Sequence, residues 1–285
     1  MKLRSKLRKV ALYATIGLGM PIAFLACNED VLNTLASTTD TVAALKEALT
    51  IGSKTAATNL GQEGGYLNDL AVKIGVPEEV TTVVELANTT AGKTFLTAIG
   101  ASVFNEDELV TLMNKAAEEA APKAAGIFSN AITSMTISDG ETILFGAENA
   151  ATEYLRDKTY DGLTVTFGEV VRGTFDQVSV SGHTLNDAWS GFSSYYNKLA
   201  ELKSTSKGQL AMATLKIGLA AAGKDDIYNK VNAIQTVNTD LGEYVTGKAL
   251  DGLFVKVADK EKGIRTNVAE RTSELLQRVF GRLDE

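Results

Sequence analysis

Only three prolines, Pro21, Pro77 and Pro122, interrupt 285 residues, and the stretches between them carry apolar residues at three-to-four spacing. Val42, Leu45, Leu49 and Ala56 form one such stripe, with Lys46, Glu47 and Lys54 off it. That is the period of a helix burying one face. Proline lacks the N–H an interior helical turn needs, so long proline-free stretches leave room for long helices. Asn105 followed by Glu106, Asp107 and Glu108 predicts a strongly capped start, and Leu109, Leu112, Met113, Ala116 and Ala120 carry the stripe onward. Pro122 is expected to kink or restart this helix before Ile127, Phe128, Ala131, Ile132 and Met135. Ser138 with Glu141, Asp240 with Glu243 and Asn267 with Glu270 read as further box-like starts,. The last of these is expected to open a helix through Val268, Leu275, Leu276, Val279 and Phe280. Residues 71–77 alternate and are expected to be extended, with Pro77 in the first turn of the next helix. The expectation is an all-α, compact multi-helix domain with minor β content. Its many Thr and Gly residues lower helix propensity, so packing must hold it.

The N-terminus reads differently. Lys2, Arg4, Lys6, Arg8 and Lys9 precede an apolar run from Val10 to Ala26, and no acid comes before Glu29. A basic start and a short apolar run weakened by Gly and Pro fit a cleaved export signal over residues 1–26. The run closes on Phe24-Leu25-Ala26-Cys27, which resembles a bacterial lipobox and ends on the single cysteine of the chain. Cys27 is therefore the expected lipid attachment site, with the membrane as partner through its acyl chains. The alternative is a buried free cysteine beside a plain cleavage site. Each buried methylene contributes about 0.8 kcal/mol, so two or more chains anchor a domain durably without spanning the bilayer. Asn28 follows the cysteine where an aspartate would resemble an inner-membrane retention signal, so an outer-membrane address is expected, on the periplasmic face or the cell surface. Residues 27–39 are polar and fit a tether, leaving 40–281 as a single helical domain.

Charge and rare residues exclude much else. The chain holds 35 acidic against 28 basic residues, and removing residues 1–26 takes away bases and no acid. Phosphate binding needs a basic face, so nucleic acid is not an expected partner. One Cys and one His leave no disulfide framework and little for a metal centre. No metal or cofactor is expected.

The chain also echoes itself. At an offset of 90, Glu153, Tyr154, Lys158, Asp161, Gly162, Leu163 and Val165 match Glu243, Tyr244, Lys248, Asp251, Gly252, Leu253 and Val255. On a helix the Tyr, Lys and Asp of each copy share one face. One reading is a pair of salt-bridged helices with core-facing tyrosines. The other has both faces meeting across a pseudo-twofold axis to line a polar cleft, with Gly162 and Gly252 allowing close approach. The segment 159–162 could also end one helix and start another.

Several stretches together carry a family resemblance: Ala44-Leu45-Lys46-Glu47-Ala48-Leu49, the Gly65-Tyr66-Leu67-Asn68 turn into Val72-Lys73-Ile74, Met113-Asn114-Lys115-Ala116-Ala117-Glu118, Ala150 to Arg156, Tyr244 to Phe254, and Val279-Phe280-Gly281. In that order they resemble the bacterial domain of unknown function 4197, over about residues 40–281. The resemblance implies a mostly helical exported domain and assigns no activity. Residues 203–226 form an Ala-rich insertion relative to it, read as a hairpin arm or as a lid or partner-binding helix.

Catalytic signatures are weak. His183 in Ser181-Gly182-His183-Thr184 lacks a nucleophile turn, and the glycines at 61, 64 and 65 lack the Gly-Lys-Ser/Thr of a phosphate loop. Pairs such as Asp225-Asp226 and Glu118-Glu119 diverge on a helix. No catalytic residue is assigned. The basic residues Arg156, Lys158, Lys248, Arg265 and Arg271 stand out in an acidic chain; structural ion pairs with Glu153, Asp161, Asp251, Glu261 or Glu270 are the favoured reading. The minority reading makes Tyr154, Arg156, Lys158, Asp161, Tyr244, Lys248, Asp251 and Arg265 ligand-binding candidates. The leading functional expectation is a non-enzymatic envelope module holding an unidentified protein or small molecule in an interhelical groove; the alternative is a metal-independent hydrolase using carboxylates.

Overall fold

The computed structural model describes residues 29–100, 105–238 and 240–284, with side chains from 38 onward. The export segment and Cys27 lie outside the described residues. Residues 38–285 form one compact unit. Its helices are α1 (Glu29–Leu60), α2 (Glu78–Ala87), α3 (Thr90–Ala98), α4 (Glu106–Ser134), α5 (Gly140–Leu144), α6 (Ala150–Thr174), α7 (Leu185–Leu202), α8 (Ser206–Ala221), α9 (Asp225–Ala233), α10 (Gly242–Thr266) and α11 (Glu274–Phe280). Among the described residues the β content is one antiparallel hairpin, β1 (Ser179–Val180) and β2 (His183–Thr184), in the register Ser179 to Thr184. Ser181 and Gly182 turn it with φ of 52° and 87°, the left-handed pair a two-residue hairpin needs. The domain is all-α.

The long helices make the centre. α6 packs along both α4 and α10, burying Leu155, Leu163, Phe167, Val171, Leu250, Leu253 and Phe254 in a continuous core. Burying each such side chain stabilises the fold by about 1.5–3 kcal/mol. Phe128 of α4 meets the Phe254 ring edge-on at 5.2 Å. A second group of short helices, α2, α3, α8 and α9, packs mutually.

Tyr66, in the turn after α1, ties three elements together. It is fully buried; its N–H donates to Glu118 Oε1 at 3.1 Å and its hydroxyl to the Ala249 carbonyl at 2.7 Å. Burial, with the Glu118 carboxylate beside it, pushes the hydroxyl far above its ordinary titration range,. Residues 71 and 72, expected as extended, lie in a turn in which the Val72 and Lys73 N–H groups donate to the Asp69 carbonyl, and Asn114 does similar service for the irregular stretch that follows. Its amide accepts from Ile74 N–H at 2.9 Å and donates to Ile74 C=O at 2.8 Å, standing in for a missing strand,.

Several local expectations shift. The stretch 27–39, expected as a tether, is helical from Glu29 onward, since no Gly or Pro interrupts residues 29–51. Pro122 neither ends nor restarts α4, which runs through it to Ser134. The ring is seated on Gly61, where an added Cβ would lie 2.6 Å from Pro122 Cγ, so packing retains a residue that intrinsic propensity rejects. Pro77 is the N-cap of α2 and precedes its first turn. Asn105 caps α4 as expected, accepting from Glu108 N–H. At α5 the Ser138/Glu141 box does not form, because Glu141 turns to Thr41 and Arg282 instead. Asp240 caps one residue off the expected register, accepting from Gly242 N–H at 2.7 Å. Asn267 starts only a 3-10 turn, Val268–Glu270, with Glu270 drawn to Lys260 at 2.7 Å. The last helix begins at Glu274 under a Ser273 cap, and Val268 is exposed.

Candidate functional site

The echoed segments lie in two helices of equal length, 25 residues each, that pack antiparallel. Ala151 N–H reaches Glu261 at one end, Arg156 meets Asp251 further in, and Arg172 lies against Gly242 at the other end. Residues 159–162 do not break α6. Each copy repeats the same local contact: Lys158 Nζ lies 5.6 Å over the Tyr154 ring and Lys248 Nζ 5.9 Å over the Tyr244 ring. Each tyrosine hydroxyl donates to a distant carbonyl, Tyr154 to Thr136 at 2.7 Å and Tyr244 to Gly75 at 2.9 Å.

These contacts do not converge. Thr246 sits against Gly168, which places the Tyr244 end of α10 roughly 20 Å along the pair from Tyr154, given a rise of 1.5 Å per residue. The shared cleft expected for the candidate residues is therefore not formed. Tyr154 and Lys158 serve one end of the pair, and Tyr244 and Lys248 the other. Arg156 pairs with Asp251 at 2.5 Å and stacks near Tyr160 and Phe254. Tyr160 donates to Asp251 at 3.3 Å; burial, then that carboxylate, raises its titration. Asp161 is exposed. The two glycines differ: a Cβ at Gly252 would meet the Tyr66 ring at 2.7 Å, whereas Gly162 faces open space. Gly252 thus admits Tyr66, not the partner helix.

Arg265 is a structural cation. It is buried, bonded to Glu261 at 2.8 Å and to the Leu144 and Ile143 carbonyls at 2.6 and 3.0 Å. Glu261 also accepts from the N–H groups of Ala151 and Thr152 and from the Thr152 hydroxyl. It therefore neutralises Arg265 while closing the orphan donors at the start of α6. Arg271 spans the carbonyls of Ile264 and Arg265 and pairs with Asp284. His183 is exposed and pairs with Glu108 at 2.9 Å, while Thr184 and Asp187 form a capping box. The Thr184 hydroxyl and the Asp187 carboxylate beside the imidazole are thus engaged in a helix start. Among the described residues no group of three or more His, Cys, Asp or Glu could hold a metal ion.

At the Arg172 end of the α6–α10 pair a shallow cavity of about 330 Å³ is lined by Thr164, Val165, Glu169, Arg172, Glu243 and Thr246. By the 90-residue offset, Thr246 and Thr164 occupy the places that Arg156 and Phe254 fill at the other end. The smaller pair leaves the space open.

A larger feature lies where the sequence drew no site residue. α3 and α8 flank an apolar groove of about 580 Å³. Lys207, Leu210, Ala211, Thr214, Leu215 and Gly218 face it from α8, a three-to-four stripe; Ala91, Thr94, Phe95 and Ala98 do so from α3,. The Thr94 and Thr214 hydroxyls donate to their own helix carbonyls, at 3.1 and 3.0 Å. Gly218 lets the helices touch at one end, where an added Cβ would lie 2.8 Å from Ala91 Cβ. Residues 203–226, expected as an Ala-rich insertion, hold α8 and the turn into α9, and α8 is only half committed to the core: Met212, Leu215 and Leu219 are buried, while Leu210 and Ile217 are 71% and 73% exposed. The signal that could have found it is compositional. From Leu202 to Lys224 the chain has four lysines and no acid.

The fold is that of an all-helical domain with a ligand-sized apolar groove beside a closed core. The chain belongs to the family of proteins of unknown function DUF4197, whose model matches residues 35–281. No curated protein and no solved structure matches it significantly.

Proposed function

We propose that this is a lipid-anchored cell-envelope protein, outer-membrane by address, whose helical domain is a non-enzymatic binding module. The observation that carries the binding reading is the α3/α8 groove. It has the volume and the apolar walls of a small-molecule site, and large apolar side chains stand exposed on the helix that forms one wall. The carboxylate-hydrolase alternative draws less support, because the two buried glutamates, Glu118 and Glu261, are each occupied by backbone N–H groups. Glu169 and Glu243 at the α6–α10 cavity are exposed and lack the apolar burial that separates an acid from a base. The anchor rests on the basic, apolar and cysteine-terminated N-terminus,. No helix among the described residues is long and apolar enough to cross a membrane.

Two measurements test the proposal. Labelling cells with radioactive palmitate should mark the wild type and not Cys27→Ala; equal incorporation refutes the anchor. A screen of apolar and amphiphilic small molecules should raise the melting temperature of the domain, an effect abolished by filling the groove. Hydrolysis of a model ester or glycoside at a rate lost in Glu169→Gln would favour the enzyme instead.

A further inference from the structure

The binding reading leaves the ligand unnamed, and the charge around the groove narrows it. The whole chain carries a formal net charge of −7, yet residues 202–224 hold Lys203, Lys207, Lys216 and Lys224 with no acid among them. Three of these have structural places. Lys203 donates to the carbonyls of Asn232 and Ile234, Lys216 lies 5.5 Å over the Tyr228 ring, and Lys224 is the N-cap of α9. Lys207 is the one that lines the groove, and it forms no ion pair with any carboxylate among the described residues.

Its position is directional. Lys207 stands in the first turn of α8, where Thr205 Oγ1 takes the Gly208 N–H and the helix dipole adds partial positive charge. Gly218 touches Ala91 at the opposite end. Since Ala91 lies in the first turn of α3 and Ala98 ends it, the helices run antiparallel and the groove extends from a cationic mouth to an end narrowed where Gly218 meets Ala91. Eleven residues of helix separate Lys207 from Gly218, about 16 Å at 1.5 Å per residue. An extended long-chain alkyl group fits that length. The Thr94 and Thr214 hydroxyls donate to their own helices, so along its length the groove meets apolar walls; Thr90, beside Ala91, is the remaining lining threonine.

We infer that the α3/α8 groove binds a single long-chain fatty acid, its carboxylate at Lys207 and its alkyl chain laid toward Gly218. This rests on the reading of the domain as a binding module. A bilayer would supply the same chemistry, but a groove of about 580 Å³, narrowed at one end by Gly218 and Ala91, has room for one chain, so the free acid is the committed occupant.

The test uses the full chain and three fluorescent probes of equal 16-carbon length, a carboxylate, an alcohol and a trimethylammonium, all below self-association. The carboxylate should bind with one-site saturation and displace the others. Lys207→Glu should weaken it roughly tenfold while leaving the alcohol unchanged. Thr94→Trp and Thr214→Trp, exposed positions on opposite walls, should each abolish binding of all three probes without changing the melting temperature. Equal affinity for the carboxylate and the trimethylammonium, with both lost in the tryptophan variants, would overturn the fatty-acid assignment and leave the binding module standing. Binding of none of the probes, or binding indifferent to both tryptophan variants, would sink the groove as a ligand site altogether. Binding only to vesicles of anionic phospholipid, or a concentration-dependent dimer dispersed by Leu210→Ser, would make the groove a membrane or self-association surface and overturn the proposal.

Discussion

The α6–α10 pair and the α3–α8 pair are both antiparallel helix contacts, yet one is filled and the other open. Between α6 and α10 the cations have assigned partners: Arg156 holds Asp251, and Arg265 holds Glu261 and two carbonyls. Aromatic rings occupy the space that small residues would leave, apart from the shallow cavity at Thr164 and Thr246. Between α3 and α8, small residues bring the helices together at Gly218, and the rest is an apolar groove ending on Lys207, which has no ion pair among the described residues. The first pair spends its polar groups on stability. The second leaves apolar surface and charge available to something else.

The largest expected effect is inside the filled pair. Arg265→Ala removes the cation that neutralises buried Glu261 and takes the guanidinium donor from the Leu144 carbonyl, and should cost about 3–5 kcal/mol in chemical denaturation. Less than 1 kcal/mol would mean that the carboxylate finds water or another cation. The two echoed glycines separate next. Gly252→Ala drives a methyl toward the Tyr66 ring and should cost about 1–3 kcal/mol, whereas Gly162→Ala, on an open face, should gain about 0.5–1 kcal/mol. Equal effects would contradict the inequality of the two copies. On the open pair, Leu210→Ser and Ile217→Ser remove exposed groups and should move stability by no more than about 0.5 kcal/mol. A larger loss would show that α8 is packed more tightly than its exposure implies.

The smallest effect is a pH dependence. A hydrogen bond from Arg282, opposed by burial and helped by Thr41, holds Glu141 below its ordinary value. A hydrogen bond from Lys256 does the same for Asp69. A lowered carboxylate pKa contributes stability that is complete above the unfolded-state value and lost as pH falls through the folded one. The melting temperature should therefore drop on acidification below about pH 4, the ordinary carboxylate range, and Glu141→Gln should flatten part of that drop. An unchanged acid limb in this variant would remove Glu141 from the explanation.

Much of the architecture was legible because it is written in local patterns. The stripes through Leu45 and Leu112, the Asn105 cap and the 90-residue echo depend on neighbours three or four residues away, and each lies where it was expected. The favoured reading of the basic residues as structural ion pairs holds for Arg265 with Glu261, four residues apart on α10, and for Arg156 with Asp251 across two helices, though the sequence did not say which cation takes which carboxylate. What failed was distance. Pro122 stays helical because Gly61 makes room for it, and Tyr154 and Tyr244 part because an antiparallel pair carries equivalent positions to opposite ends. Beyond the lysine-bearing, acid-free composition of residues 202–224, the groove was hidden for the same reason: its walls are more than a hundred residues apart in the chain, and each alone reads as a short helix with alanines and threonines.

The decisive measurement is amide hydrogen exchange of the full chain with and without a saturating 16-carbon fatty acid. Protection should rise over Thr90–Ala98 and Ser206–Ala221 and stay unchanged over Ala150–Thr174 and Gly242–Thr266. Added protection confined to the latter two helices would return function to the Tyr–Lys faces and contradict the division between a filled core and an open groove.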